Sequence, residues 1–245
     1  MTEDRPAFLV AYPFLSKWQA SRILPRRWCL DSGAWSVANA GHAPIDLGAY
    51  IDEIKRLRDG PMPPAEVFAL DVIGDWRASQ ANTDRMCREG IEAIPCYHYG
   101  EPWDVLYGLA QDYPKIALGG AAQMQPAARL RWAGQCFARV HPKPMHGFSF
   151  CARAYVLALP WDSVDSTAWF LQAIRYSRMR TANGDQIHVA GAGGKGFRAG
   201  LRGEIEYYLR LEREARVRWH NPGLTLYLAH PGSPPPTGFE MEVSV

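Results

Sequence analysis

Three aspartates stand where an apolar run stops: Asp31 after "RWCL", Asp71 after "EVFAL" and Asp165 in "WDSVDS". A carboxylate at such a place has two kinds of work open to it. It can cap a helix or shape a turn, because Asp accepts free backbone N–H groups. It can also act as a nucleophile, carry a proton or accept a ligand's N–H groups. Taken singly, each fits the first use. Three on one rim do not, because clustered carboxylates repel one another and raise their pKa values unless a ligand or a reaction justifies them.

Other residue types nearby could serve a ligand. In "DSGAWS" (31–36) and "LGGAAQ" (118–123) glycine permits close approach to backbone N–H and C=O groups, though an ordinary strand-to-helix turn has the same composition. His98, between Tyr97 and Tyr99, offers a titratable donor beside stacking faces, and a core-satisfied histidine fits equally. "GAGGKGF" (191–197) lacks the G-x-x-x-x-G-K-[ST] order of a nucleotide loop but could meet phosphates through backbone amides and Lys195. The five cysteines, Cys29, Cys87, Cys96, Cys136 and Cys151, include no C-x-x-C pair. Reduced thiols are expected, with no structural metal, no disulfide and no cofactor.

Short apolar segments must position these groups. "AFLVAYP", "RWCLDSG", "EVFALD", "EAIPCYHYG", "KIALGG", "HGFSF" and "WDSVDS" each read as a buried strand, and an eighth falls at "QIHVAG" (186–191) or "LTLYLA" (224–229). Helical spacing lies between several of them. Asp46 can cap "LGAYIDEIKRLRDG", closed by Gly60, and "QPAARLRWAGQCFARV", "STAWFLQAIRYSRM" and "LRGEIEYYLRLEREARVRW" repeat the pattern. Alternating strands and helices predict a parallel sheet, and eight strands predict a compact (β/α)8 TIM-type barrel over residues 1–230, followed by a Pro-rich tail at 231–245. In such a barrel the C-terminal strand ends share one rim, where active sites are built.

Composition sets outer bounds. The 245 residues are 47% hydrophobic and 21% charged with net charge +2, the profile of a folded soluble domain. No apolar run approaches a membrane span, and the N-terminus lacks a signal-peptide pattern, so a cytoplasmic protein without a membrane partner is expected. Residues 170–220 hold ten Lys/Arg against five acids. That local excess reads either as a polyanion surface or as a solvated helix face.

These motifs, in this order, resemble the tRNA-guanine transglycosylase superfamily over residues 27–170. "LDSGAWS" is similar to its D-S-G-G-F-Q motif, "FALD" to its second base-reading aspartate strand and "ALGG" to its glycine pair, while "WDSVDSTAW" resembles the nucleophile segment of phage-type relatives that insert 7-deazaguanines into DNA. The resemblance implies Asp165 as nucleophile, Asp31 as the proton-transfer group facing the base, and Asp71 as reader of a guanine-like edge. Gly119 and Gly120 would contact the base through backbone, with Ser32, Gly33 and Trp35 beside it. His98 or Tyr99 would stand where the tRNA enzymes carry a glutamine. Two departures matter. The zinc site that follows the nucleophile strand in the tRNA enzymes is missing, since the last cysteine here is Cys151, and Ala34 replaces the second motif glycine. The first disfavours a tRNA substrate and points to DNA.

The implied reaction breaks the bond at C1′ through an oxocarbenium-like state, which retaining glycosidases handle with two carboxylates. A target base in a duplex must be flipped out, or presented in a single strand. Trp35, Tyr97, Trp161 and Trp169 could stack on a base, and Arg175, Arg178, Arg180, Lys195 and Arg198 could hold phosphates. A glycosidase that releases the base to water and a non-catalytic DNA-binding barrel remain alternatives, as does a second copy or partner subunit in place of the zinc domain.

Overall fold

The computed structural model describes residues 5–21, 24–170, 178–181, 184–189 and 194–230, apart from the side chains of 194–198. Its strands are β1 (Ala7–Ala11), β2 (Arg27–Asp31), β3 (Glu66–Phe68), β4 (Ala93–Ile94), β5 (Cys96–His98), β6 (Ile116–Gly119), β7 (Met145–Gly147), β8 (Ser163–Ser166), the hairpin strands β9 (Arg178–Arg180) and β10 (Gln186–His188), and β11 (Thr225–Ala229). Nine of them form one parallel sheet in the order β4-β3-β2-β1-β11-β8-β7-β6-β5. The two ends of that order, β4 and β5, are one stretch of chain broken at Pro95. Proline has no N–H to give, and the ladder changes partner around it: Phe68 faces Ile94 on one side and Cys96 faces Ala117 on the other. The sheet is thereby a nearly closed parallel barrel of eight staves, consistent with the predicted (β/α)8 class.

Both faces of the strands are covered, which is why the strand sequences are continuous apolar runs. Alternation nevertheless sorts them. Ala7, Leu9, Cys29, Phe68, Ile94, Ala117, Tyr227 and Ala229 pack with one another inside the barrel. Phe8, Val10, Trp28, Leu30, Val67, Leu118 and Val164 face outward into the larger cluster beneath the helices. Those helices include α1 (Leu15–Ala20), α2 (Ala34–Asn39), α3 (Leu47–Arg58), α4 (Trp76–Arg88), α5 (Trp103–Asp112), α6 (Pro126–Val140), α7 (Arg153–Ala158) and the long α8 (Gly194–Trp219). Asp46 caps α3 as its position predicts, accepting from Ala49 N at 2.7 Å.

The narrow interior ends below in charge. Lys115 Nζ reaches Glu66 Oε1 at 2.8 Å, Asp162 Oδ2 at 2.6 Å and Ser163 Oγ at 2.9 Å. Arg27 adds a second cation to Glu66 at 3.2 Å, and Tyr227 donates to it at 3.3 Å. Burial pushes the Glu66 carboxyl up, but Lys115 and Arg27 outweigh that and hold it below its ordinary range. Asp162, just before β8, thus partners Lys115 while its side chain stays 35% exposed.

The structure chooses between the two candidates for the eighth strand and shortens one expected helix. The eighth stave is Thr225–Ala229, because it pairs with both β1 and β8. Gln186–His188 instead pairs antiparallel with Arg178–Arg180, outside the barrel. The helix expected over Ser166–Met179 cannot extend to Arg178 and Met179, which lie in that hairpin; 171–177, like the 231–245 tail, fall outside the described residues. The hairpin packs on α8 at Gly203, where an added Cβ would stand 2.6 Å from Met179 Cε. Among the described residues, no helix is long and apolar enough to cross a membrane.

The tightest point of the core gives a prediction. A Cβ on Gly147 would lie 2.7 Å from Trp161 Cζ3 and 2.9 Å from Phe150 Cβ, both fully buried. Gly147→Ala should therefore lower stability by about 1–3 kcal/mol through overpacking, read as a lower denaturation midpoint with an unchanged m-value.

Candidate active site

The inward side of three staves carries a polar residue past the apolar layer into the barrel mouth. Asp31 stands two residues above Cys29, Asp165 two above Ser163, and His98 two above Cys96. Asp71 arrives on the loop after β3. That loop is pinned by α4: Asn82 Nδ2 donates to Leu70 O at 3.0 Å, and Ser79 Oγ accepts Val72 N–H at 2.8 Å. Together these residues line a cavity of about 720 Å³. Ser32, Trp35, Tyr99, Gly119 and Gly120 line it as well. Gly33 does not; at φ +77° its Cβ would lie 2.5 Å from Pro13 Cδ, so it turns the chain from β2 into α2 beside the pocket. Side chains at Gly119 and Gly120 would intrude on Cys96 Sγ at 2.7 Å and Tyr99 N at 3.2 Å. Both must stay bare for Cys96 and His98 to hold their places.

The electrostatics separate the three aspartates. Burial, followed by the nearby charges of Asp165 and Asp71, pushes Asp31 up to about 7, against the opposing pull of the Gly33 and Ser32 backbone N–H groups. Asp71 instead meets a cation: His98 Nε2 stands 3.3 Å from its Oδ2. Glu101 holds the other side of that ring, 3.0 Å from Nδ1, and also accepts the His98 backbone N–H at 3.0 Å. Burial opposes charge on His98, but the Cys96 sulfur and the two carboxylates outweigh it and hold the imidazole well above its ordinary range. Asp165 is fixed by its backbone neighbour, with Ser149 N–H donating to Oδ1 at 2.7 Å. Ser149 adopts φ +62°, a left-handed conformation unusual for a non-glycine residue. Buried Arg129 of α6 secures it by donating to Ser149 O at 2.7 Å and Phe148 O at 3.1 Å.

Among the described residues, one group brings three potential metal ligands together: Asp71, Cys96 and His98, within 4.8 Å of one another. Its chemistry favours a proton. Each ring nitrogen of His98 faces a carboxylate, and burial pushes the Cys96 thiol up to about 12, so a cation would have to displace both protons.

Several proposed contact residues are placed elsewhere. Tyr97, Trp161 and Trp169 are buried in the core and cannot stack on a base, whereas Trp35 is 49% exposed at the mouth. Arg180 is turned onto buried Glu204 and lies over Tyr207 and Tyr208. Arg178 sits on the hairpin with Nη1 3.4 Å from Gln186 Oε1. Arg175 and the side chains of Lys195 and Arg198 are outside the described residues. Among the described residues of this region, Arg202 and Arg216 are likewise committed to ion pairs, with Glu206 and Glu212. Four site residues, Glu101, His146, Ser149 and His230, were missed from sequence. Glu101, three residues after His98, had a usable spacing signal; the others are brought in only by tertiary pairing.

Asp31 makes the site's strain measurable. A carboxyl whose folded pKa is raised binds its proton more tightly when folded, so its cost to stability grows as pH rises from about 4 to about 7 and then levels. Asp31→Asn lacks that titration. The variant should gain stability over the parent on going from pH 5 to pH 8, by roughly 2–3 kcal/mol in denaturant unfolding.

No protein-family profile, curated protein or solved structure matches the chain.

Proposed function

We propose that the chain is a transglycosylase that exchanges guanine in DNA for a 7-deazaguanine, such as a 7-cyano derivative, through a covalent aspartyl-glycosyl intermediate. The observation that carries this reading is the division of labour among three aspartates in one cavity: one raised to about 7, one paired with His98, and one held by a backbone N–H.

The cavity suits a base better than a phosphate. Among the described residues its wall holds four carboxylates, Asp31, Asp71, Glu101 and Asp165, and two histidines, with neither Lys nor Arg. Guanine and 7-deazaguanine present N–H donors along one edge, which carboxylates accept. The volume suits an extruded nucleotide, and the exposed Trp35 and Tyr99 provide stacking faces at the mouth. DNA is preferred to tRNA because the sequence lacks the cysteines of the tRNA enzymes' zinc subdomain.

In the first step an Asp165 oxygen bonds to C1′ as the C1′–N9 bond breaks. The bonding pair leaves with guanine, and protonated Asp31 supplies the proton that neutralises it. The incoming base then gives its N–H proton to the Asp31 carboxylate, and its nitrogen attacks C1′ and displaces Asp165. One glycosidic bond replaces another, so no energy source is consumed. A pKa near 7 lets Asp31 serve both directions.

Incubation with DNA and labelled guanine or 7-deazaguanine tests the reading. Label should enter DNA without strand lability, and Asp165→Asn should abolish entry by about 10³-fold or more while DNA binding persists. Abasic sites in place of label would identify a hydrolase, and neither product with any base would overturn the proposal. Trp35→Ala should raise the KM for DNA several-fold with little change in kcat.

A further inference from the structure

Beneath Asp165 lies a chain of polar groups that the mechanism above does not use. Lys115 Nζ is 2.9 Å from Ser163 Oγ, Ser163 Oγ is 2.9 Å from His146 Nδ1, and His146 Nε2 is 3.5 Å from Asp165 Oδ1. His146 is wholly buried, with Phe68 and Phe148 each 4.7 Å from its ring centre, and its Nε2 has no formed hydrogen bond.

The order of the chain fixes its protons. An ammonium only donates, so Ser163 Oγ accepts from Lys115. The hydroxyl hydrogen can then go to His146 Nδ1; the opposite arrangement, with Nδ1 donating to the second lone pair of Ser163, would leave a bare Nε2 facing the Asp165 carboxylate. Burial holds the ring below its ordinary pKa and therefore neutral, and a neutral ring that accepts at Nδ1 carries its hydrogen on Nε2. That N–H faces Asp165. A buried N–H without a partner is destabilising, which favours closing the gap. Catalytic hydrogen bonds that are long in a free enzyme often tighten when substrate binds.

We infer that His146 is a positioning residue for Asp165: its Nε2–H, oriented through Ser163 and Lys115, joins Ser149 N–H on Oδ1 and leaves Oδ2 to bond to C1′. The inference rests on the reading of Asp165 as nucleophile. With two donors on one oxygen, the carboxylate cannot rotate as the C1′–N9 bond breaks. When the incoming base later displaces it, the pair of electrons returns to a carboxylate already hydrogen-bonded. The other groups around Asp165 are Asp31 from β2, Arg129 from α6 and Cys151 after β7; His146 also feels Lys115 and Glu66.

The experiment compares His146→Asn, which can keep a group at the Nδ1 position but none at Nε2, with His146→Gln, which can place an amide N–H near Nε2. Base exchange is followed from pH 5 to pH 9, and the Asp165 carboxyl is titrated by carbon-13 NMR. His146→Asn should lower kcat about 10- to 100-fold with KM for the base within about twofold, and should raise the pKa of Asp165 and the acid limb of the profile by about one unit. His146→Gln should recover most of both, and Ser163→Ala should show a weaker effect in the same direction. A folded His146→Asn with an unshifted Asp165 titration would overturn the inference, as would equal loss in both variants. The NMR titration does not require turnover, so a parent chain that exchanges no base would sink the transglycosylase reading and still leave the donor to Asp165 open to measurement.

Discussion

The structure depends on a cation placed inside a barrel too narrow to leave it unsatisfied. Lys115 is enclosed by Glu66, Asp162 and Ser163, contributed by β3 and β8 or the residue preceding it. An ammonium taken from water costs several kcal/mol and is tolerated only where geometry supplies acceptors on all sides. Those acceptors exist only if β3, β6 and β8 hold their registers, so the charge cluster and strand pairing specify each other. Between it and the carboxylates of the mouth, Leu9, Cys29, Phe68, Ala117, Tyr227 and Ala229 pack with one another inside the barrel.

This vertical order gives the cavity its chemistry. The lower end balances its charges internally; the mouth carries an excess of acid in which, among the described residues, His98 is the one held as a cation. Two of the aspartates are constrained by donors of different kinds, the ring of His98 and the backbone of Ser149, and in the third burial and repulsion outweigh the N–H groups of Ser32 and Gly33. Equal residue types thus acquire unequal environments, the division that the proposed base exchange would draw on. The supporting cost is visible in the left-handed Ser149, held by Arg129 from an outer helix.

The basic stretch near the C-terminus is partly a packing device. Arg180, Arg202 and Arg216 all meet carboxylates on α8, so these three serve the helix and the hairpin before they serve a ligand. The aromatics divide in the same manner. Trp161 donates to Tyr155 O within the core and Trp169 to Ala229 O, each with its polar edge satisfied where no nucleic acid can reach.

The sequence by itself determined what local periodicity controls. Apolar runs ending in Asp31 and Asp71, the run of β8 that carries Asp165, the Asp46 cap and the glycines at 33, 119 and 120 are legible because a two-residue alternation and a turn depend on near neighbours. The parallel class also follows, since strands buried on both faces show no polar alternation. Tertiary structure alone decided that Thr225–Ala229 closes against β1, that Pro95 lets one strand serve both ends of the sheet, and that Lys115, Ser163 and His146 line up below Asp165. Lys115 and Ser163 are 48 residues apart, and Tyr227 and Glu66 are 161 apart. Contacts at such separations arise from barrel register, which is set by all the staves together and is written in no single one of them.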